Sequence, residues 1–181
     1  CAGCGVQGIV AALRAQQQEQ QSQKELQQQQ QQQLLQKVSI IEELSLLELN
    51  PRAVRFATFN AALNHLQEQT TVLQKDVRTV TPADLPLSAY DIVLCNPPYI
   101  PNPKRSARQL HQYGDGGTTG EEITQGVVAL AAQVLSQKKC EKDEEGWLYL
   151  VGNLVNVDTL PERVEKGWND GLRLQGREPQ Q

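Results

Sequence analysis

A doubly wound α/β domain on a mostly parallel sheet is the fold this sequence predicts, on three observations. Short apolar runs at 44–49 (LSLLEL), 90–95 (YDIVLC) and 147–151 (WLYLV) read as buried strands. Between them lie apolar residues at helical spacing: Phe56, Phe59, Leu63 and Leu66, then Ile123, Val127, Leu130 and Val134. A glycine-rich turn, Gly3-x-Gly5-x-x-Gly8, opens a helix at the start of the chain. Strands that alternate with helices pair in parallel through helical crossovers, which places helices on both faces of the sheet.

The chain of 181 residues has room for one such domain. Its hydrophobic fraction of 39% is low for a globular chain. Residues 16–36, with 14 glutamines in 21 positions, account for much of the shortfall. Net charge is −4, from 17 basic and 21 acidic residues, which argues against a broadly basic nucleic-acid binder and leaves room for one local patch. No run approaches the roughly 20 apolar residues of a spanning helix, so a soluble protein with no membrane partner is expected. Four cysteines (Cys1, Cys4, Cys95, Cys140) are too few and too scattered for a disulfide framework. A reducing compartment, cytoplasmic or organellar, follows as the expectation. The chain does not begin with Met, so targeting cannot be read from it.

Taken in order, Val6 to Ala15 is predicted helical. The glutamine-rich block 16–36 has no periodic apolar face and reads as a surface insertion, either prolonging the helix or forming a loop. Strand 44–49 ends at Asn50-Pro51, a helix start with Asn as N-cap and Pro at the first helical position. The Phe56–Leu66 stripe is expected to pack in the core. Thr71 to Leu73 reads as a short strand and 81–86 as a loop. Strand 90–95 stops at Asn96-Pro97-Pro98, and 101–120 is a loop rich in Pro, Gly, Lys and Arg. Lys138–Glu145 is a charged connector, 161–167 a short helix, and a polar tail is expected from about 169.

Three motifs carry chemistry. In the glycine turn, a backbone without Cβ atoms lets a ligand lie against the chain at the sheet edge. A carboxylate ending the next strand, about 20 residues on, accepts hydrogen bonds from ribose hydroxyls. Glu48 lies 43 residues after Gly5, and discounting the 21-residue block leaves 22, which marks Glu48 as that acid and the block as an insertion. Asn96-Pro97-Pro98-Tyr99 is the most specific of the three. Two prolines fix φ and hold Asn96 extended, leaving the Asn96 side-chain oxygen and the Pro97 carbonyl as rigid acceptors for both hydrogens of a planar –NH2 group. Tyr99 can stack on the flat group that carries it.

The segments CAGCGVQG, ELNPRAVRFATFNAALN and YDIVLCNPPYIP together resemble the class I S-adenosylmethionine-dependent methyltransferases of the small-domain type. That group includes the HemK/PrmC-type glutamine methyltransferases and the amino-group methyltransferases of adenine and guanine in nucleic acids. The resemblance covers residues 1–15 and 44–156. It implies a Rossmann-like fold and S-adenosyl-L-methionine as cofactor. Gly3, Gly5 and Gly8 would line the methionine moiety, Glu48 would hold the ribose, and Asp76 would lie near the adenine amine. Asn96 and Pro97 would hold the target nitrogen beside the cofactor, with Tyr99 on its plane. Against the family's pattern the chain is expected to lack the first strand and the C-terminal strand pair, and the glutamine block is not a family feature. This 181-residue chain is therefore expected to be nearly inactive alone.

The function these readings predict is N-methylation of a planar amide or exocyclic amine in a protein or nucleic acid. Lys104, Arg105 and Arg108, a few residues after Tyr99, form a basic rim with Tyr113 and the Asp115-Gly116-Gly117 turn. On an acidic chain that rim points to RNA, a ribosomal component or a translation protein such as a release factor. An inactive methyltransferase-like binding module is the alternative. An NAD-dependent enzyme fits less well, because it makes no use of Asn-Pro-Pro-Tyr. Zinc at Cys1-x-x-Cys4 lacks a second ligand pair at suitable spacing, so no metal is expected.

Overall fold

A computed structural model describes residues 3, 5–27, 41–103, 114–136, 146–152 and 157–177. It consists of two βαβ units. In the first, strand β1 (Leu44–Glu48) crosses through helix α2 (Pro51–Leu63) to strand β2 (Thr70–Gln74), and the strands pair in parallel from Leu44↔Thr70 to Glu48↔Gln74. In the second, β3 (Ile92–Cys95) leads through helix α3 (Glu122–Val134) to β4 (Trp147–Leu150), again parallel, from Ile92↔Trp147 to Cys95↔Leu150. Helix α1 (Val6–Gln27) precedes them and helix α4 (Leu160–Leu174) follows.

The α/β class and the parallel pairing agree with the sequence, and the described strands form two separate pairs. Among the described residues β1 is hydrogen-bonded to β2 alone and β3 to β4 alone. The pairs nevertheless share a core. Val77, Cys95, Ile123 and Val127 are buried together, with Leu47 of β1 and Leu148 and Leu150 of β4 packed against them. The Ser45 and Tyr90 hydroxyls also meet at 2.9 Å across the gap.

Helices cover both faces at β1, where Leu46 meets the α1–α2 side and Leu47 the α3 side. At β3–β4 only the α3 side is covered. Ile92, Leu94, Trp147 and Tyr149 alternate onto the open face, where the Trp147 and Tyr149 rings stack at 6.3 Å.

Helix α2 starts as expected: the Asn50 side chain accepts a hydrogen bond from the Arg52 N–H at 2.9 Å, and Pro51 needs no partner for a missing N–H. The face it buries is a correction. Phe56, Phe59 and Leu63 are 48%, 61% and 64% exposed, and the buried positions are Ala57 and Ala61. The reason is close approach. A Cβ on Gly5 would lie 3.3 Å from the Ala57 Cβ, so only a small side chain fits between α2 and the glycine turn. The larger residues, on the opposite side of the helix, face outward. Leu66 alone of the predicted stripe is fully buried, because the chain reverses at His65 (φ 58°) and returns Leu66 beneath Ile9 and Ala12 of α1.

The glutamine-rich block prolongs α1 as far as Gln27, since glutamine is a good helix former, and its remainder at 28–36 lies outside the described residues. So does the Lys138–Glu145 connector. The short helix and polar tail expected near the end are instead one amphipathic helix. Gly167, Gly171 and Leu172 of α4 are buried, and a Cβ on Gly171 would collide with the Ala129 carbonyl, so the α4 backbone rests directly on α3. The sequence reading missed this because small residues, not large apolar ones, mark the packed face.

Candidate active site

The carboxyl ends of β1, β2 and β3 carry Glu48, the Asp76 turn and Asn96–Tyr99, which is the edge where open α/β sheets bind ligands. The glycine turn closes onto the first of these. Gly3 and Gly5 adopt positive φ (55° and 79°), a conformation that glycine takes without strain. A Cβ on Gly8 would sit 2.9 Å from Leu46 Cδ2, so this glycine serves the close packing of α1 on β1.

Glu48 ties the turn down. Its Oε2 accepts from the Gly3 N–H at 2.6 Å and its Oε1 from the Asn50 N–H at 2.9 Å. The Glu48 carbonyl accepts from the Lys75 N–H at 3.1 Å, which brings the end of β2 alongside. Gly3 and Glu48, which the sequence reading assigned to different parts of one ligand, thus meet directly across 45 residues.

Asp76 lies next to that edge with its carboxylate turned to its own loop. Its Oδ1 accepts from the Arg78 N–H at 3.0 Å and from Arg78 Nε at 2.9 Å, and the guanidinium holds the carboxyl below the ordinary carboxylate range. The carboxyl of the neighbouring, partly exposed Asp84 is held down to about 2, first by Lys75 at 2.6 Å and then by the Thr81 N–H and hydroxyl.

After β3 the chain runs extended through Asn96–Tyr99. Pro97 is buried and Asn96 exposed, with no hydrogen-bond partner for the Asn96 side chain among the described residues. Gly152, just past β4, borders the Tyr99 ring: a Cβ there would lie 3.8 Å from Tyr99 Cδ1.

The segment that follows is held by a second glycine turn, which the sequence reading treated only as rim. Ile100 and Asp115 form a parallel bridge. The Ile100 N–H donates to the Gly114 carbonyl at 3.0 Å, the Gly116 N–H to the Ile100 carbonyl at 3.0 Å, and the Asn102 N–H to the Gly117 carbonyl at 2.7 Å. Asp115 takes the Gly117 N–H on Oδ1 at 2.9 Å and the amide of buried Asn102 on Oδ2 at 3.3 Å. Gly116 and Gly120 lie against the Tyr99 backbone so closely that their Cβ atoms would fall 2.8 Å from Tyr99 Cα and 2.6 Å from the Tyr99 carbonyl oxygen. The available signal was four glycines in seven residues, Gly114 to Gly120. The basic rim itself, Lys104, Arg105 and Arg108, and Tyr113 lie outside the described residues, as do Cys1, Cys4 and Cys140. Cys95 is a free, buried thiol, and burial pushes its pKa up.

Among the described residues no group of three or more His, Cys, Asp or Glu side chains is placed to hold a metal, and no helix is long and apolar enough to cross a membrane. A recess of about 380 Å³ lies on α2, lined by Arg52, Arg55, Phe56 and Phe59 and by none of the motif residues.

Comparison with known proteins bears on this arrangement. None of the curated proteins matches the chain. A family model described as RMKL-like, methyltransferase domain, matches residues 2–147, from the glycine turn to the first residue of β4. The glycine turn on Glu48 and the extended segment after β3 both fall within that span. The chain belongs to the RMKL-like methyltransferase domain family, and so to the class I S-adenosylmethionine-dependent methyltransferases.

Proposed function

We propose that this domain transfers a methyl group from S-adenosyl-L-methionine to the nitrogen of a planar amide or exocyclic amine. The observation that carries the reading is the exposed Asn96 side chain, without a hydrogen-bond partner among the described residues, beside the rigid, buried Pro97 at the same sheet edge as the Glu48–Gly3 contact. The residues present fit the cofactor. Each Glu48 oxygen accepts one N–H and keeps a lone pair for a ribose hydroxyl, and the space beside Gly3 is open. Gly5 and Gly8 support the turn from below. Asp76 fits less well, because an adenine amine reaching its carboxylate would compete with Arg78.

When bound, the cofactor supplies an electrophilic methyl group on a positively charged sulfur. The rest belongs to the chain. An amide or ring-conjugated nitrogen is a poor nucleophile because its lone pair is delocalised. Accepting its two N–H bonds at the Asn96 oxygen and the Pro97 carbonyl turns the nitrogen toward tetrahedral geometry and frees that pair. As the nitrogen–carbon bond formed and the carbon–sulfur bond broke, its electron pair staying on sulfur as a neutral thioether, the same acceptors would stabilise the positive charge passed to nitrogen, and a proton would then leave to solvent. Tyr99, backed by Gly116 and Gly120, fixes the plane of the group, which supplies the orientation.

We read the substrate as part of an RNA, a ribosomal component or a translation protein such as a release factor. Lys104, Arg105 and Arg108 follow Tyr99 closely on an otherwise acidic chain, which supports a polyanionic target. The free Cys95 thiol suits a reducing compartment, cytoplasmic or organellar. We also read the two strand pairs as halves of one doubly wound sheet, with β1 and β3 flanking a further strand position. The unjoined β1 and β3 edges favour, as a second reading, a binding module without catalysis.

Label transfer from tritiated cofactor to ribosomal RNA, transfer RNA and release factors in parallel separates the substrate classes. Asn96→Ala is expected to lower transfer by about 100-fold or more with cofactor affinity unchanged. Transfer at the parent rate would mean that Asn96–Tyr99 is only a turn. Cofactor binding without transfer to any of the three would favour the binding module.

A further inference from the structure

The face of α2 that the sequence predicts to be core is exposed and joins an apolar stripe to two arginines. Phe56, Phe59 and Leu63 stand at spacings of 3 and 4 on exposed positions, so they form one apolar stripe. Arg52 and Arg55 flank it at the N-terminal end, the Arg52 guanidinium lying 5.7 Å from the Phe56 ring centre, and the recess between them measures about 380 Å³.

Two features say what this stripe meets. The first is charge. Helix α2 holds two arginines and no acidic residue, on a chain of net charge −4, and neither arginine meets a carboxylate among the described residues. The second is position. Arg52 lies in the first turn, where the helix dipole is positive and a cation is unfavourable by a few tenths of a kcal/mol or more. Among the described residues no carboxylate offsets that local conflict, so an anion from outside is the natural complement.

We propose that the Arg52–Leu63 face of α2 is a docking surface for an acidic amphipathic helix of a partner protein. From Arg52 to Leu63 is eleven residues, about 16 Å or three turns. The fitting partner is a helix of similar length with an apolar stripe over Phe56, Phe59 and Leu63 and carboxylates over the arginines. This surface contains no residue of the proposed methyl-transfer site, so it stands or falls apart from that reading.

The test titrates the full chain with a fluorescent 18-residue helical peptide carrying leucines on one face and glutamates beside them, and with the same peptide carrying lysines. The glutamate peptide is expected to bind roughly tenfold more tightly, corresponding to about 1.4 kcal/mol. R52E/R55E should reverse the preference, and F56S/F59S should remove binding of both peptides while leaving circular dichroism and melting temperature at the parent values, since the two rings are already 48% and 61% exposed. Equal affinity for the two peptides, no binding of the glutamate peptide, or binding indifferent to F56S/F59S would overturn the proposal. So would a dimer in sedimentation equilibrium that F56S/F59S dissolves, which would assign the stripe to a second copy. Tighter binding of a twelve-nucleotide oligothymidylate than of the glutamate peptide would assign it to nucleic acid and overturn it equally.

Discussion

Replacing Glu48 by alanine removes one acceptor from two backbone donors at once. The Gly3 N–H at 2.6 Å and the Asn50 N–H at 2.9 Å both lose a charged partner. A hydrogen bond to a charged group contributes about 1.5–3 kcal/mol when dry. The Gly3 contact is exposed and the Asn50 contact only half-buried, so water takes over part of each. A combined cost of about 1.5–3 kcal/mol is the reasonable figure, or a fall in melting temperature of roughly 3–12 °C for a chain of this size. Glu48→Gln keeps one oxygen acceptor and should lose about half as much. The same substitution tests the ribose contact separately, because cofactor affinity is read well below the melting temperature. Two lost ribose hydrogen bonds predict a roughly 10- to 150-fold weaker dissociation constant for Glu48→Ala by calorimetric titration. An unchanged melting temperature would refute the anchoring role of the carboxylate. An unchanged affinity, or preferential binding of NAD, would refute its role toward the cofactor.

Gly120→Ala should lower melting temperature and methyl transfer together, since φ of 87° and the Tyr99 carbonyl at 2.6 Å leave a Cβ no room; about 1–3 kcal/mol is expected, and unchanged denaturant midpoints would show that the turn yields freely. Deleting residues 16–36 should change melting temperature by only a few degrees, because the buried residues of α1, Ile9 and Ala12, precede the block and a shorter connection costs little, and a collapse in a thermal scan would show that the block packs on the domain. The carboxyl of Asp84 should titrate near 2 by NMR and move up toward 3.8 in Lys75→Met. A depressed pKa means that this pairing supports the fold above the ordinary carboxylate range and is lost as pH falls toward 2, so acid unfolding should begin at higher pH in Lys75→Met.

Much of the fold was legible because its signals are local. LSLLEL and WLYLV have no reading but strands, Asn50-Pro51 starts a helix by its own chemistry, and proline at 97 and 98 must end β3. What failed to show depends on partners distant in sequence. The inward face of α2 is chosen by the glycine turn, which admits Ala57 and excludes phenylalanine, and nothing within α2 reveals that. In helix α4 two of the three buried residues are glycines, Gly167 and Gly171, whose close approach to α3 is set by residues far away in the sequence. At the site, the Gly5–Glu48 spacing pointed to a carboxylate at the end of β1, while the hydrogen bond from the Gly3 N–H to Glu48 carries no sequence signal of its own. The turn that holds Ile100 and Asn102 joins backbone groups to the Asp115 carboxylate across 13 residues, a pairing that no local pattern encodes.

The separation of β1–β2 from β3–β4 has a consequence for how the molecule forms. Each pair is closed by its own crossover, and among the described residues no strand of one pair is hydrogen-bonded to a strand of the other. Cooperativity between them rests on side chains, chiefly the shared core around Leu47, Cys95 and Val127, with the Ser45–Tyr90 hydroxyl contact beside it. Such units open separately, with a free energy below that of global unfolding. Amide exchange should therefore divide along this line, with α3, buried along most of its length, protected longest and β1–β2 released first. The glycine turn, hung on Glu48, would then loosen with the first unit while the Asn96–Tyr99 segment stays in place, so that the two halves of the site are ordered by different events.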